Sequence, residues 1–366
     1  MKYLSTAAHA HGSVDRTAVL MINLGTPRAP TAGAVREYLH EFLLDPRVVE
    51  LPRALWRLLL WTVILPLRSR ASASRYATVW TPEGSPLLAI SERQQRALAA
   101  ELQRRGLDVD VVLAMRYGRP SIPEAMARLR RERAARLLVL PMYPQYSATS
   151  SASAFDGVAQ VLMQTRNLPE LRWVRGFHDD PGYIEALRRS VRAHWDAHGR
   201  GQRLVMSFHG LPQRNLDLGD PYHCECHKTG RLLAQALDLR PDEYLVSFQS
   251  RFGRARWLQP YTAETLRRLA REGAARVDVI CPGFVADCLE TLEEIAQEAR
   301  RDFLTHGGRE LHVIACLNDA PALIGTLASL VERHAAGWPV SRGEQGERQQ
   351  QAAAVAVRAL AMGAGR

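Results

Sequence analysis

Short apolar runs that stop at a polar residue, followed by Gly or Pro, recur along the chain. The apolar residues Leu204-Val205-Met206, for example, lead into Ser207-Phe208-His209-Gly210-Leu211-Pro212. This pattern is typical of a buried parallel strand that ends in a loop. We predict strands at Thr17 to Leu24, Val109 to Met115, Arg136 to Pro141, Leu171 to Val174, Leu204 to Phe208, Tyr244 to Gln249, Arg276 to Cys281 and Leu311 to Ala315.

The last four predicted strands repeat the order of the first four. Equivalent strands are about 135 to 141 residues apart in three pairs and about 185 residues apart in the first pair. The first half therefore carries an insertion of roughly fifty residues after its first strand. Strands that alternate with helices form parallel sheets covered by those helices. We expect an α/β fold of two similar halves, each with a four-stranded parallel sheet, facing each other across a cleft.

The repeat also predicts a division of the chain. Residues 1–175 form the first half, with the insertion at about 30–85, and residues 176–335 form the second half. The helix Pro181 to His198 links the two halves. Residues 336–366, with their Gln, Ala and Gly runs, are expected to form a weakly ordered tail.

The most apolar part of the insertion is Leu55 to Leu67, which contains two tryptophans and Arg57. Its length of about thirteen residues is short of the roughly 20 needed to span a bilayer. The segment suits a surface that contacts a membrane interface or lines the lip of a pocket. A buried amphipathic helix is an equally good interpretation.

Composition and charge narrow the possible partners. A hydrophobic content of 46% and a charged content of 23% are those of a globular protein. The net charge of +10 is compatible with an acidic ligand, an anionic membrane or nucleic acid. We expect no nucleic-acid partner, because the chain has no RNP motif, zinc-finger spacing or recognition-helix pattern. Five cysteines, and no apolar signal-peptide core in Met1 to Arg16, predict free thiols and a cytoplasmic location.

Polar and aromatic residues gather where the predicted strands end, which is where open α/β sheets bind ligands. These residues are Asn23, Arg116, Tyr117, Tyr143, Gln145, Tyr146, His209, Gln249, Arg251 and the stretch Gly283 to Glu294. Asp287 and Glu290 fit a capping box at a helix start, and Glu294 shares a helical face with Glu290. An imidazole with carboxylates suits a divalent transition metal or proton transfer near neutral pH. The alternatives are a loop histidine bonded to a backbone carbonyl and a solvated acidic first turn.

Several of these stretches are motifs of one family, in that family's order, over roughly residues 17 to 334. The chain resembles the ferrochelatases, of the proteobacterial type, which insert Fe²⁺ into a porphyrin at the end of haem synthesis. The motifs are Asn23-Leu24-Gly25-Thr26-Pro27, Tyr76 with Gly84-Ser85-Pro86, Met115-Arg116-Tyr117, Tyr143-Pro144-Gln145-Tyr146-Ser147, Ser207 to Pro212, Gly219-Asp220-Pro221-Tyr222, Phe248 to Gly253 with Trp257-Leu258, and Cys281-Pro282-Gly283-Phe284 through Glu294.

The resemblance implies flavodoxin-like (Rossmann-type) halves, a chelatase-like porphyrin cleft and a set of site residues. His209 and Glu290 face each other across the porphyrin centre as metal ligand and proton acceptor, and which residue has which role stays open. Asp287 and Glu294 continue an acidic path for protons or metal. The porphyrin pocket is implied at Leu24, Arg68, Arg70, Tyr76, Ser85, Arg116, Tyr117, Tyr143 and Trp257.

The chain departs from some ferrochelatases at its cysteines. Members with a [2Fe-2S] cluster commonly have Cys where this chain has Ala148, or a C-terminal group of cysteines, whereas no cysteine follows Cys316. We therefore expect no cluster and no permanently bound cofactor, since Fe²⁺ is a substrate. Cys224 and Cys226 lie in a metal-like His-Cys-Glu-Cys-His stretch, but they supply two ligands where a cluster needs four, and a reduced surface loop is the alternative. Cys288 replaces a His of many relatives.

The expected reaction is insertion of Fe²⁺ into protoporphyrin IX to give protohaem, with release of two protons. Coproporphyrin III, with four propionates, is an alternative substrate, but the apolar Leu55 to Leu67 segment favours protoporphyrin IX. A porphyrin or haem carrier is an alternative from another class, and His209 with Glu290 and Glu294 argues against it. We expect a monomer that contacts the cytoplasmic face of the inner membrane peripherally.

Overall fold

The computed structural model describes residues 3–4, 11–253 and 255–364 and contains two four-stranded sheets, in which every strand pair is parallel. The first sheet has the order β2-β1-β3-β4 and the second has the equivalent order β6-β5-β7-β8. The strands are β1 Arg16–Thr26, β2 Asp110–Gly118, β3 Ala134–Pro141, β4 Glu170–Trp173, β5 Arg203–His209, β6 Tyr244–Gln249, β7 Arg276–Ile280 and β8 Glu310–Ile314. The predicted fold of two similar halves is confirmed.

Helices cover both sheets and fill the insertion. They are α1 Ala32–Leu43, α2 Arg53–Leu59, α3 Leu65–Val79, α4 Pro86–Arg104, α5 Ile122–Arg131, α6 Ser153–Leu162, α7 Pro181–His198, α8 Gln213–Asp217, α9 Tyr222–Ala236, α10 Thr262–Arg271, α11 Arg300–Thr305, α12 Pro321–His334 and α13 Gln345–Ala361. Wider π-helical segments lie at Leu60–Ile64, Ala148–Ala152 and Glu290–Ala299, and a 3₁₀ turn lies at Arg342–Glu344.

The two halves share one hydrophobic core. Met21 of β1 and Leu138 of β3 belong to the same buried cluster as Met206 and Phe208 of β5. Leu323 of α12 lies in this cluster, and α12 packs against both α4 and α7. The central strands are apolar on both faces because helices cover both sides of a parallel sheet. This shared core fixes the carboxyl ends of the two sheets relative to each other.

The insertion places an apolar face on the surface. Leu55, Leu58 and Leu67 are 66%, 64% and 69% exposed, whereas Leu60 and Leu65 are buried. The interpretation of this segment as a buried helix is therefore wrong, and the segment lies on the surface. In the described part of the chain, no helix is both long and apolar enough to cross a bilayer.

A π-helical turn joins α2 to α3 directly before Pro66. The amide of Leu65 donates to the carbonyl of Leu60, five residues back. A proline within a helix lacks an amide hydrogen, and its ring collides with the carbonyl four residues earlier. A wider turn relieves that collision, so Arg53 to Val79 continues as one long helical element.

The predicted weakly ordered tail contains α13, which has no buried residue. Arg348 fastens it to the first half, where Nη2 donates to Asp108 Oδ2 (3.0 Å), and Nη1 donates to the Pro339 carbonyl within the tail (2.8 Å). Gln and Ala are good helix formers, which explains a regular helix with little packing.

A substitution at Gly25, near the end of β1, tests how closely the backbones of β1 and β2 approach each other. Its φ is +107°, and an added Cβ would lie 1.7 Å from the Tyr117 carbonyl oxygen. We predict that Gly25→Ala lowers the free energy of unfolding in urea by about 2 to 4 kcal/mol. The control Gly33→Ala has open space in α1 and is expected to raise it by about 0.5 to 1 kcal/mol. Equal effects of the two substitutions would contradict this account.

Candidate active site

His209 is the last residue of β5, at the carboxyl edge of the second sheet. Its Nδ1 lies 2.6 Å from the carbonyl oxygen of Gly210. Because a carbonyl oxygen only accepts hydrogen bonds, Nδ1 carries the hydrogen of the neutral ring. This contact is the backbone bond that the sequence left as an alternative, but it also leaves the Nε2 lone pair available for a metal or a proton.

Gly210 brings Trp257 against the histidine turn. A Cβ at Gly210 would lie 2.6 Å from the Gln249 carbonyl oxygen and 3.2 Å from the Trp257 ring. The amide of Gly210 donates to that same carbonyl oxygen at 2.8 Å. Pro212 and Trp257 form a short antiparallel bridge. The close packing explains why a glycine follows His209, and it places the predicted pocket residue Trp257 against the turn after His209.

The acidic segment Glu290–Ala299 is fastened to the end of β6. Gln249, the partner of His209 in the β5–β6 register, donates through Nε2 to the Glu290 carbonyl oxygen at 3.0 Å. Ser250 donates its amide to Glu294 Oε1 (2.6 Å) and its hydroxyl to Glu294 Oε2 (2.5 Å). These bonds bring Glu290 and Glu294 to the strand edge that carries His209.

Burial raises the pKa of the Glu294 carboxyl, and the Ser250 hydrogen bonds and the charge of His209 oppose that rise. Burial also raises the pKa of Glu293, which the charge of Arg75 opposes. Glu293 Oε2 is buried without a hydrogen bond to the described residues, and Arg75 Nε lies 3.7 Å away. These two carboxyls therefore hold protons at a higher pH than an exposed glutamate does.

Asp287 does not form the predicted capping box with Glu290. Its carboxylate accepts hydrogen bonds from Asn318 Nδ2 (2.7 Å), the Thr291 hydroxyl (3.0 Å) and the Cys316 amide (3.3 Å). The Asp287 amide, which a capping box would pair with the Glu290 carboxylate, donates instead to Asn318 Oδ1 at 2.9 Å. This arrangement leaves the Glu290 side chain free of a capping role, while Asp287 anchors the segment to the loop after β8.

Two tyrosines of the insertion face Glu290 from the other half. Burial raises the pKa of Tyr38 and of Tyr76, and the negative charge of Glu290 raises both further. Tyr76 belongs to a cluster with Leu289, which directly precedes Glu290. The sequence analysis missed Tyr38, although its spacing from Ala34 and Val35 on the buried face of α1 is an available signal.

Leu24 and Ser85 lie on the same wall of the first half. Leu24 packs with Leu87 and Ile90 of α4 and with Ala286, and its amide donates to Asn23 Oδ1 at 2.8 Å. The Ser85 hydroxyl lies 2.8 Å from the Thr26 hydroxyl, and Thr26 lowers the pKa of Tyr76, so the three side chains are neighbours. Leu24, Tyr76 and Ser85 are therefore brought together opposite the acidic segment.

Arg116 and Tyr117 belong to a buried network around Asp45, a residue that the sequence analysis missed. Asp45 Oδ2 accepts from Arg116 Nη2 (2.5 Å), Tyr117 Oη (2.8 Å) and Ser153 Oγ (2.6 Å). Burial opposes ionisation of Asp45, but the hydrogen bonds from Ser153 and the Arg47 amide and the charge of Arg116 lower its pKa. No motif in the sequence marks an aspartate in the loop after α1 as a partner of β2.

Tyr143, after β3, has a buried hydroxyl without a hydrogen bond to the described residues. Burial raises its pKa, and the nearby charge of Arg116 opposes that rise. The ionised phenol of Tyr143 would also raise the pKa of Tyr38, so the two rings belong to one part of the wall. An unpartnered buried hydroxyl costs about 1 to 3 kcal/mol, which a polar ligand group offsets.

The two predicted arginines of α3 differ in position. The Arg68 guanidinium carbon lies 3.7 Å above the Phe252 ring, so this side chain reaches across to the loop after β6. Arg70 is exposed. Of this pair, Arg68 is the one that the structure brings to the cleft between the halves.

The Cys224 and Cys226 stretch is the first turn of α9 rather than a surface loop. Cys224 is exposed and Cys226 is buried, so the two thiols point in different directions. The intervening Glu225 accepts hydrogen bonds from Arg175 (2.8 Å) and from the Tyr146 amide (2.7 Å). The stretch thus anchors the loop after β3, and the prediction of a loop is wrong.

Together these residues form a cleft with a histidine and carboxylates at its centre and aromatic side chains along its walls. Neutral His209 offers a nitrogen lone pair, and Glu290 and Glu294 offer carboxylate oxygens, which is a ligand set for a divalent transition metal. The same groups accept and pass on protons near neutral pH. The tyrosines and Trp257 suit a large planar aromatic ligand.

Comparison with known proteins places this cleft in a family. Residues 16–335 match the ferrochelatase family. The ferrochelatase of Polaromonas sp. (strain JS666) is 56% identical over 100% of both chains. The ferrochelatase of Azoarcus sp. (strain BH72) is 58% identical over 92% of this chain and 93% of the relative, and that of Janthinobacterium sp. (strain Marseille) is 56% identical over 93% and 92%.

A more distant likeness concerns the fold. SirB from Bacillus subtilis with Fe³⁺ superposes with a TM-score of 0.52 at 10% identity, over 88% of this chain and 96% of that chain. This structure supports the arrangement of two similar halves. Given the identity to curated relatives over nearly the whole length, the chain belongs to the ferrochelatase family.

Proposed function

We propose that this protein inserts Fe²⁺ into protoporphyrin IX, forming protohaem and releasing two protons. The observation that carries the proposal is the position of His209 beside Glu290 and Glu294, because Gln249 and Ser250 bind the acidic segment to the strand next to β5. A carrier that only binds porphyrin needs the aromatic walls but not this group of proton acceptors.

The two pyrrole N–H protons must leave as the metal enters. His209 holds its hydrogen on Nδ1, so Nε2 is the atom that accepts a proton or ligates iron. We assign to His209 and Glu290 together the roles of proton acceptor and metal ligand. A neutral imidazole accepts a proton at the ring nitrogen that carries no hydrogen.

The carboxyls behind Glu290 supply the path for protons or metal. Glu294 holds its carboxylate against the Ser250 amide and hydroxyl, and burial raises its pKa. A carboxyl whose pKa lies closer to neutrality both takes up and releases protons more readily. Asp287 lies deeper in the fold, where its three hydrogen bonds support a positioning role for the segment.

The walls of the cleft hold the macrocycle. Tyr38 and Tyr76 lie close enough to Glu290 to feel its charge, and Trp257 packs against the turn after His209. Arg116 uses Nε and Nη2 within the Asp45 network, and its Nη1 makes no hydrogen bond to the described residues. Together with the Tyr143 hydroxyl, this nitrogen suits a propionate of the substrate. A rigid cleft that bends the ring favours the transition state over the flat product.

The apolar face of α2 and α3 favours protoporphyrin IX over coproporphyrin III, which carries four propionates. We propose that this face rests on the cytoplasmic side of an anionic membrane, and that the protein acts as a monomer. The support is the exposure of Leu55, Leu58 and Leu67. Arg53 and Arg57 of α2 lie in the same segment and suit anionic headgroups.

We propose that no iron–sulfur cluster or other permanent cofactor is needed. Cluster ligands are thiolates. Burial raises the pKa values of four thiols, which favours their protonated form over the thiolate that a cluster needs. These are Cys226, Cys281, Cys288 and Cys316.

The chelatase proposal is tested by anaerobic insertion of Fe²⁺ or Zn²⁺ into protoporphyrin IX, followed by absorbance. We expect His209→Ala to lower kcat by about 100-fold or more while porphyrin still quenches tryptophan fluorescence. His306→Ala, at the residue directly after α11, is the matched control and is expected to keep full activity.

Three results would change the assignment. Tight porphyrin binding without turnover in the wild type would make the protein a carrier. A higher kcat/KM with coproporphyrin III than with protoporphyrin IX would overturn the substrate. Full activity in His209→Ala would remove this histidine from the mechanism.

The raised pKa of Glu294 leads to a prediction for how kcat falls at acidic pH. Because burial raises its pKa, the carboxylate is lost on acidification at a pH above the ordinary glutamate value of 4.5. We expect Glu294→Gln to lower kcat at least tenfold and to remove this acid limb of log kcat against pH. Glu298→Gln, an exposed position on the same segment, is the control. An unchanged limb in Glu294→Gln would show that this carboxyl passes no proton.

The membrane proposal is tested by sedimentation with vesicles of phosphatidylglycerol and phosphatidylethanolamine. We expect the triple variant Leu55→Ser, Leu58→Ser and Leu67→Ser to lower the partition coefficient at least tenfold, because exposed apolar area drives the contact. The control Val357→Ser with Leu360→Ser changes exposed residues of α13, which are 67% and 59% exposed. Equal losses in both variants, or no binding by the wild type, would contradict the proposal.

A further inference from the structure

We propose a second site for a divalent transition metal, formed by His194, Asp278 and His312 on the second half. One potential ligand atom from each residue lies within 4.8 Å of the others. The site lies away from His209. Asp278 is in register with Leu204, five positions before His209 on β5, and a strand rises about 3.3 Å per residue, so the separation is roughly 16 Å.

The fold brings these residues together from three elements. Asp278 of β7 and His312 of β8 are direct partners in the parallel register. His194 lies near the end of α7, and His198 follows one turn later. The His194 ring centroid is 5.6 Å from that of His312 and 4.7 Å from that of His198. His198 is therefore the nearest candidate for a fourth ligand.

The three side chains differ in their present contacts. His194 Nε2 is buried and has no hydrogen-bond partner among the described residues. Asp278 Oδ2 accepts from Trp195 Nε1 and from the Gly201 amide, both at 2.8 Å, which holds the carboxylate in place. Its Oδ1 accepts from two nitrogens of Arg276 at 3.3 Å, and His312 Nε2 lies 3.3 Å from Glu310 Oε2, so a metal ion would replace these longer contacts. A buried nitrogen without a partner is costly, and a metal ion removes that cost.

The electrostatics keep the imidazole in the form that binds metals. Burial lowers the pKa of His194, and the charges of His198, His312 and Arg276 lower it further, while Asp278 opposes them. A neutral histidine offers its lone pair without first losing a proton. Imidazole with one carboxylate favours Zn²⁺, Co²⁺ or Ni²⁺ over Mg²⁺ or Ca²⁺, which prefer oxygen ligands.

A metal at this position would cross-link α7, the helix that connects the two halves, to the neighbouring strands β7 and β8 of the second sheet. We therefore assign it a structural role. It is expected to stabilise the fold by binding the folded state, without taking part in iron insertion.

Isothermal titration of Zn²⁺ into the His209→Ala protein tests the site, because that substitution weakens the active-site ligand set. We expect one Zn²⁺ to bind and the melting temperature to rise. Adding His312→Ala or, separately, His194→Asn is expected to weaken this affinity at least about 100-fold, more than the loss of a supporting residue causes. Adding His306→Ala is the control and is expected to leave the affinity unchanged.

The proposal is overturned if the His209→Ala protein binds no Zn²⁺, or if the His312→Ala and His194→Asn additions leave its affinity unchanged. Two separate substitutions guard against a variant that does not fold, which far-UV circular dichroism reports. Iron insertion by His312→Ala in the otherwise wild-type protein is expected to match the wild type, so this test is independent of the chelatase proposal.

Discussion

The active site depends on the attachment of the acidic segment to the end of β6. Gln249 and Ser250 make this attachment through one bond to the Glu290 backbone and two bonds to the Glu294 carboxylate. Parallel pairing of β5 with β6 then places His209 next to Gln249. The imidazole and the carboxylates thus belong to adjacent strand ends of one rigid sheet, which positions them more accurately than mobile loops would.

The opposite wall depends on Asp45. One oxygen of its carboxylate accepts hydrogen bonds from Arg116, Tyr117 and Ser153. These bonds join the loop after α1 to β2 and α6. That junction sets the position of α1, whose Tyr38 faces Glu290. The insertion is therefore part of the site on its inner side, even though its outer side exposes a row of leucines.

Much of the fold was predictable, because buried parallel strands are nearly continuous apolar runs that stop at Gly, Pro or polar residues. The position of His209 at the end of β5 followed from the same pattern. Asp45 was not predictable, since its partners Arg116 and Tyr117 lie about 70 residues away and no local pattern marks a long-range hydrogen bond. Tyr38 was missed, although its spacing on the buried face of α1 marked it. The capping box between Asp287 and Glu290 failed for the same reason, as Asn318 and Cys316 compete for the Asp287 carboxylate.

The Asp45 network and the carboxyls of the acidic segment change the stability of the fold in opposite directions as the pH changes. The pKa of Asp45 is lowered from 3.8, so its network stabilises the fold above that value and loses this contribution as the pH falls. The pKa values of Glu293 and Glu294 are raised from 4.5, so the folded state binds their protons more tightly than the unfolded state does. These two carboxyls therefore lower stability as the pH rises above 4.5 and through their raised pKa values. At neutral pH the acidic segment carries carboxylates that the fold itself disfavours, and the hydrogen bonds from Ser250 partly offset the penalty at Glu294. Their raised pKa values also move these carboxyls toward the range in which a group both takes up and releases protons, which is the chemistry that metal insertion into a porphyrin requires.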